Sequence, residues 1–161
     1  MKILLFIFII FLFTLLYPIF CEDNEPFKNK DALEKIVSKQ LNANNQLLQI
    51  CTNSSKSGIY KDGFCSIGEY NKGIDTLCVE MTDEFLKYTK ENGIDLITPN
   101  PDEQFEGLKK GDKWCLSTIL WINAYNKDKK LAPKIDKKAT NIKSLYYIEE
   151  EIMDENKLEE Y

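Results

Sequence analysis

Residues 76–93 read TLCVEMTDEFLKYTKENG, and this stretch decides the fold class because it predicts a strand that leads directly into a helix. Residues 76–81 alternate polar and apolar side chains, as a half-buried strand does. Thr82 is the predicted N-cap of the helix, because its hydroxyl can accept a hydrogen bond from a backbone amide of the first turn. Asn92 and Gly93 predict the end of the helix, since Gly readily adopts the left-handed conformation found there.

The segments that follow predict a second helix and a second strand. Residues 94–110 form a long connection that is stiffened by two prolines. Asp112 is the predicted cap of a helix that runs to about Tyr125 and is apolar nearly all round, which is typical of a buried helix. Residues 142–148, rich in Ile, Leu and Tyr, predict a strand. This order of elements predicts an α+β fold: a single compact domain with two main helices packed on a small sheet, long ordered loops and an N-terminal helix.

Changes in composition and charge divide the chain into four segments. Residues 1–21 have a basic start, an apolar run and a helix-breaking proline, which together indicate a signal peptide. Residues 22–45 form an acidic extension with one amphipathic helix. Residues 46–148 form the globular domain, and residues 149–161 form an acidic C-terminal tail. The length of 161 residues allows one domain with a real core.

The first segment predicts a protein of the secretory pathway or the extracellular space. In such a pathway Asn53, which begins an Asn-Ser-Ser sequon, is a candidate for glycosylation. The alternative is a membrane anchor, because residues 3–21 are nearly as long as the ~20 residues that a spanning helix needs. A plastid-type organelle reached through the secretory pathway is a further alternative, although transit peptides avoid acidic residues such as those in 22–45.

The composition excludes several classes of site. The chain contains no His, and all 21 of its basic residues are Lys. Without imidazole there is no Ser-His-Asp triad, Cys-His dyad or Cys₂His₂ zinc finger, and without guanidinium there is no bidentate phosphate clamp. The net charge of −5 disfavours nucleic-acid binding, and so does the lack of a basic stripe interleaved with aromatic residues.

Charge is concentrated near the C-terminus. Residues 149–161 carry seven carboxylates against one Lys, whereas residues 127–138 carry six Lys against two Asp. The lysines could bind an anion or serve regulation. The simpler interpretation is a solvated loop that the acidic tail neutralises.

Four motifs resemble one known family. They are GIYKDGFC at 58–65, CVEMTDEFL at 78–86, GIDLITP at 93–99 and FEGLKKGDKWCL at 105–116. Together they resemble the domain of unknown function 2237, a small domain known mostly from bacteria, over about residues 47–148. The resemblance implies membership but no activity, because the family has none that can be transferred.

The resemblance also suggests where a ligand site would lie. We take as candidate site residues the matching positions that carry polar or aromatic groups outside the cysteines: Tyr60, Asp62, Asp95, Thr98, Asp112 and Trp114. The chain departs from the family pattern at three positions. Members usually carry a His where this chain has Asp75, and Cys where it has Phe64 and Ser117.

Four cysteines follow the predicted signal peptide: Cys51, Cys65, Cys78 and Cys115. In an oxidising compartment they can pair as disulfides in three ways, among which the sequence does not choose. Buried unpaired thiols and a bound metal are the alternatives. The gaps of 14, 13 and 37 positions contain no Cys-x₂₋₄-Cys knuckle, so we predict no metal and no cofactor. Cys115 is the one candidate for a reactive thiol, because we place it in the first turn of the second helix.

Three carboxylates, Asp62, Asp95 and Asp112, adjoin predicted turns or helix starts, where a convergent pair could perform acid–base chemistry. Each also has a structural role available, because Asp stabilises turns and caps helices. We therefore predict a non-catalytic binding or interaction module that recognises an unknown small ligand or protein through loops 62–78 and 98–111. The alternative is an enzyme of unknown reaction that uses these carboxylates or Cys115. A membrane is a partner only if residues 1–21 are retained.

Overall fold

A three-stranded antiparallel sheet forms the centre of the fold. The computed structural model describes residues 40–53, 57–68 and 74–159, all of which belong to the unit Lys39–Tyr161. The predicted signal peptide and most of the predicted N-terminal extension, including its helix, lie outside the described residues. The described elements, in chain order, are β1 (Leu77–Glu80), α1 (Asp83–Glu91), β2 (Lys113–Leu116), α2 (Thr118–Lys127), β3 (Lys134–Ile135) and α3 (Glu150–Glu155). The fold is therefore α+β, as predicted.

The predicted strand and helix of residues 76–93 are confirmed. Strand β1 is the middle strand of the sheet and pairs with β2 on one side and β3 on the other. The Thr82 hydroxyl accepts a hydrogen bond from the Phe85 amide at 3.1 Å, which caps α1. The helix ends at Glu91 with Asn92 as its C-cap, and Gly93 follows with φ +84°. The cap and the stop therefore act as the local sequence predicts.

The prediction that one helix runs from Asp112 to Tyr125 is wrong in its first part. Residues 113–116 form β2, and α2 begins only at Thr118. The turn before β2 continues the β1–β2 ladder, because the Met81 amide donates to the Asp112 carbonyl at 2.8 Å and the Gly111 amide donates to the Met81 carbonyl at 2.9 Å. Pairing with β1 therefore outweighs the local helical pattern, since it satisfies these backbone groups across the sheet.

Helix α2 is also less enclosed than its composition predicts. It buries Thr118, Trp121 and Ala124 on one face, whereas Ile119 is 49% exposed on the other. The Trp121 ring nitrogen donates to the Pro133 carbonyl at 2.9 Å, which ties the buried face to the segment before β3. Ile119 is thus an apolar residue of α2 that is left at the surface.

The strand predicted for residues 142–148 is also wrong. Ile142–Tyr146 form a 3-10 helix, which begins where the Asn141 side chain accepts a hydrogen bond from the Lys143 amide. The Ser144 hydroxyl is buried and lies 2.8 Å from the Thr76 hydroxyl, so the turn directs a polar side chain inward to meet its partner. A buried hydroxyl needs such a partner, and the tight turn supplies it.

Both ends of the described chain pack into the domain. Asn42 is fully buried, and its side chain donates to the carbonyls of Leu47 and Lys138. Met153 in α3 is also fully buried, and Ile135 forms a bridge with Lys157. The boundaries drawn from the sequence at residues 46 and 148 therefore fall inside packed structure.

The core lies between the sheet and the helices. It is built from large side chains of β1, α1, α2, β3 and α3, of which the most buried are Leu77, Val79, Met81, Phe85, Trp121, Ile135 and Met153. Beside it lies a second buried cluster, formed by the four cysteines and Ala139. Side chains of the sheet thus contribute to two buried clusters, one of apolar side chains and one of cysteines.

Candidate functional site

Two disulfides fasten the sheet to the loop that precedes it. Cys51 pairs with Cys78 and Cys65 pairs with Cys115, with Cα–Cα distances of 5.6 and 5.2 Å. Cys78 and Cys115 lie opposite each other in the β1–β2 register, so the two bridges lie side by side. All four cysteines are buried. The prediction of at least one disulfide is confirmed, and the structure selects one of the three pairings.

Cys115 is not the helix-start thiol that the sequence predicts. It lies in β2, and in the bonded state it carries no thiol to act as a nucleophile. The Cys115 amide donates to the Ser57 hydroxyl at 2.9 Å, which holds the loop of residues 57–68 against β2. In that loop a Cβ at Gly58 would collide with the Phe64 carbonyl oxygen, so the close turn requires glycine.

An open groove lies between this loop, β2 and α2. We call it the Asp75 groove; its volume is about 590 Å³. Most of its walls are apolar, with polar atoms supplied by Asp75, Ser117 and Asn123; the lining residues are Gly58, Ile59, Asp75, Ile94, Leu96, Trp114, Cys115, Leu116, Ser117, Ile119, Leu120 and Asn123. The volume lies within the range of small-molecule sites. The exposed side of α2 forms one wall through Ile119 and Leu120.

Asp75 is the charged group of the groove. Partial burial raises the pKa of its carboxyl above the ordinary value of 3.8. Within the described part of the chain, nothing donates a hydrogen bond or an ion pair to this carboxylate. A carboxylate that is partly desolvated and unpaired favours a cation or a hydrogen-bond donor as its partner. In the sequence, Asp75 stands out only as a departure from the family pattern. That no described residue pairs with its carboxylate is evident only from the fold.

Three carboxylates that the sequence singled out bind backbone amides instead. Asp62 accepts from the Phe64 amide at 3.0 Å, and Asp112 accepts from the Lys109 amide at 2.9 Å. Asp112 therefore stabilises the turn before β2 and is not the cap of a helix. Each of these hydrogen bonds closes a local turn, as Asp side chains commonly do.

Asp95 is held most firmly of the three. Its carboxylate accepts from the Ile97 and Thr98 amides at 2.9 Å, from the Thr98 hydroxyl at 2.7 Å, and from Lys90 at 3.0 Å. These donors, with the Thr98 hydroxyl first, lower the pKa of Asp95 well below its ordinary value. Thr98 and Asp95 thus fix the loop after α1.

Tyr60 and Trp114 have different surroundings. Tyr60 is 59% exposed, and its hydroxyl lies over Gly68. Trp114 is half-buried and packs edge-on against Phe105, with ring centroids 5.7 Å apart. Trp114 lines the Asp75 groove on one side and, with Asp112, a second groove of about 510 Å³ on the other. Among the described residues, no single cavity is lined by all six candidate site residues.

Two lysines of residues 127–138 contact the acidic segment. Lys137 is 9% exposed and bonds Asp154 at 2.7 Å and Glu150 at 3.5 Å. Lys134 donates to the Glu155 carbonyl at 3.2 Å. For these two lysines, the contacts support the interpretation that the acidic segment neutralises the basic residues.

Two surface features bear on the predicted location. Asn53 is exposed, and the other two residues of its sequon lie outside the described residues. In residues 40–53, 57–68 and 74–159, no helix combines the length and apolarity that a membrane span requires.

Comparison with known proteins agrees with the motifs. The family model described as "Uncharacterized protein conserved in bacteria (DUF2237)" matches residues 41–157. That match covers most of the chain, including β1 to α3, both disulfides and the Asp75 groove. A search of curated proteins returned no match. The chain therefore belongs to the DUF2237 family.

Proposed function

We propose that this protein is a non-catalytic binding module of the secretory pathway, and that its Asp75 groove binds a small ligand with an apolar body and one cationic group. The observation that carries the proposal is the Asp75 carboxylate, which has no partner among the described residues and lines an otherwise apolar groove. The Asp75 side chain is exposed at the edge of the groove, and the nearby apolar walls partly desolvate its carboxylate, an effect that a bound cation would offset. The apolar walls would bind the rest of the ligand.

The three carboxylates that a catalytic role would use have contacts that favour a binding role instead. Asp62, Asp95 and Asp112 each accept backbone hydrogen bonds in a separate turn. Cys115 is bonded to Cys65. Acid–base chemistry needs groups that face a common substrate, and these groups have structural partners of their own. A binding role requires only the groove.

The proposed location rests on three features. The first 21 residues have the pattern of a signal peptide. Disulfides persist in oxidising compartments, and this domain carries two of them. Asn53, the acceptor residue of a sequon, is exposed.

A matched set of eight-carbon probes tests the ligand class. Octylamine and octanoate share the same apolar chain but carry opposite charges, so calorimetric titration at neutral pH isolates the contribution of Asp75. We expect octylamine to bind at least about tenfold more tightly than octanoate, which corresponds to about 1.4 kcal/mol. Asp75→Asn should remove this preference.

Asp102→Asn is the control variant, because Asp102 is exposed in the 3-10 helix Pro101–Glu103 and does not line the groove. It should retain the preference for octylamine. Equal affinity for the two probes, or a preference that survives Asp75→Asn, would refute the proposed ligand class.

A further inference from the structure

We propose that the four buried cysteines have a second state: when both disulfides are reduced, Cys51, Cys65, Cys78 and Cys115 bind one zinc ion. This inference is independent of ligand binding in the Asp75 groove. It concerns the cysteine cluster beside the core, which the proposed binding function does not use.

The first argument is the distance between the sulfur atoms. The Sγ atoms of Cys51, Cys65 and Cys78 all lie within 4.8 Å of one another. In a tetrahedral site with zinc–sulfur bonds of about 2.3 Å, neighbouring sulfurs are about 3.8 Å apart. After reduction, the Cys51 and Cys78 sulfurs would move apart to this spacing, and the Cys65 sulfur would need to approach them by at most about 1 Å.

Cys115 supplies the fourth ligand. It lies opposite Cys78 in the β1–β2 register, and its Sγ atom is bonded to that of Cys65. The Cys115 Sγ atom is not among the three that lie within 4.8 Å of one another, so after reduction its side chain must rotate towards the group to complete the site. Four thiolates complete the tetrahedral coordination that structural zinc sites prefer.

The backbone at these positions is held by contacts other than the disulfides. The Cys51 amide donates to the Gly63 carbonyl at 2.9 Å, and the Cys78 amide donates to the Thr140 hydroxyl at 3.0 Å. The Cys115 amide donates to Ser57. Because these hydrogen bonds do not depend on oxidation, they keep the thiols close together after reduction. The site is thus assembled by the sheet and one loop, and for this reason the spacing of the cysteines does not reveal it.

The chemistry of the conversion balances. A dithiol reductant gives each disulfide two electrons and two protons and becomes a cyclic disulfide itself, so two reductant molecules yield four thiols. Zinc then replaces the four thiol protons, which pass to solvent. Buried thiolates favour zinc over magnesium or calcium, which prefer oxygen ligands.

The test uses the full chain, reduced with dithiothreitol and transferred to reductant-free buffer without oxygen. We expect the reduced protein to bind one zinc ion per chain in native mass spectrometry and the oxidised protein to bind none. Cobalt should give the visible absorption of a tetrahedral thiolate site, and zinc should raise the melting temperature of the reduced protein. A folded, reduced chain that binds no zinc would overturn the proposal.

Single variants identify the ligands. Cys51→Ser and Cys78→Ser should each lower zinc affinity at least about 100-fold, because each removes a thiolate ligand. Cys21→Ser is the matched control and should bind zinc as the unchanged chain does, because it removes a thiol that the proposed site does not use. Undiminished binding by Cys51→Ser would refute the assignment. If that variant fails to fold by circular dichroism, the cobalt spectrum of the unchanged chain decides, and a spectrum without thiolate bands refutes the site.

Discussion

Asp75 and Asp95 show that the surroundings of an aspartate side chain can shift its pKa in either direction. Asp75 lines an apolar groove where partial burial raises its pKa. Asp95 accepts hydrogen bonds from Thr98, Ile97 and Lys90, which lower its pKa. Donors stabilise the charged form of a carboxyl, whereas desolvation destabilises it. The first residue is therefore suited to bind a ligand, and the second to stabilise the fold.

The first prediction concerns Asp75→Asn. Because the folded-state pKa of Asp75 is raised, its contribution to stability is greatest below the unfolded pKa and is lost as pH rises through the folded pKa. At pH 7 the charged carboxylate therefore destabilises the fold. We expect Asp75→Asn to unfold at a higher urea concentration than the unchanged chain at pH 7. The difference should disappear below the ordinary pKa of 3.8. A variant less stable at pH 7 would contradict the prediction.

The second prediction concerns Asp95. Its folded-state pKa is lowered, so its contribution to stability is present above the unfolded pKa and is lost as pH falls towards the folded value. We expect the carboxyl resonance of Asp95, followed by NMR, to titrate well below the ordinary value of 3.8. Asp95→Ala should lose stability at pH 7 and lose less on acidification than the unchanged chain. Titration of Asp95 at or above that ordinary value would be the contrary result.

At the scale of the element, the bounds of helix α1 are specified by its own local sequence. Its cap, its buried residues and its stop all lie within residues 82–93. Strand β2 is the opposite case, because only pairing with β1 defines it. Helix propensity is a weak preference that tertiary contacts can override, and β2 is an example.

The third prediction tests the cap of α1. Thr82→Ala removes the hydroxyl that accepts from the Phe85 amide and should lower the free energy of unfolding by about 1 kcal/mol. Thr82→Ser is the matched control, because it keeps a capping hydroxyl. Urea denaturation followed by circular dichroism measures both. Equal losses for the two variants would show that the Thr82 methyl group, and not the cap, matters.

At the scale of the molecule, the disulfides join segments that are distant in sequence. They close loops with separations of 27 and 50 residues, and the two loops overlap. Cross-links of this length reduce the entropy of the unfolded chain, which stabilises the folded state. The described residues of 51–65 contribute Cys51 and Cys65 to the cysteine cluster and none to the large core, so the disulfides are their main link to the sheet.

The fourth prediction concerns the loss of stability when each disulfide is removed. In the chain-entropy model, Cys51→Ser with Cys78→Ser should cost about 3.5 kcal/mol, and Cys65→Ser with Cys115→Ser about 4 kcal/mol. Guanidinium denaturation of each double variant measures the losses. Thiol counting under denaturing, non-reducing conditions should find none of these four thiols free in native material. Four free thiols would contradict the disulfide assignment.

The fifth prediction concerns the N-terminus. The pattern of residues 1–21 predicts that they are absent from protein isolated from its native cell. Intact-mass analysis after glycosidase treatment measures this directly. A mass that includes Met1 or Lys2 would favour the membrane-anchored alternative for residues 3–21.

The sequence by itself determined the strand and helix of residues 76–93 and the α+β class, and it favoured disulfides among the uses open to the cysteines. Each of these depends on neighbouring residues or on composition, so local periodicity, caps and residue types reveal them. Only the tertiary structure decided which cysteines pair, that residues 113–116 form a strand, and that Asp75 faces an apolar groove. These features depend on residues as distant as Cys78 and Cys115, which β pairing brings together. Trp114 could be singled out from its motif, whereas the groove around Asp75, in which no described residue pairs with its carboxylate, forms only when the loop, β2 and α2 assemble.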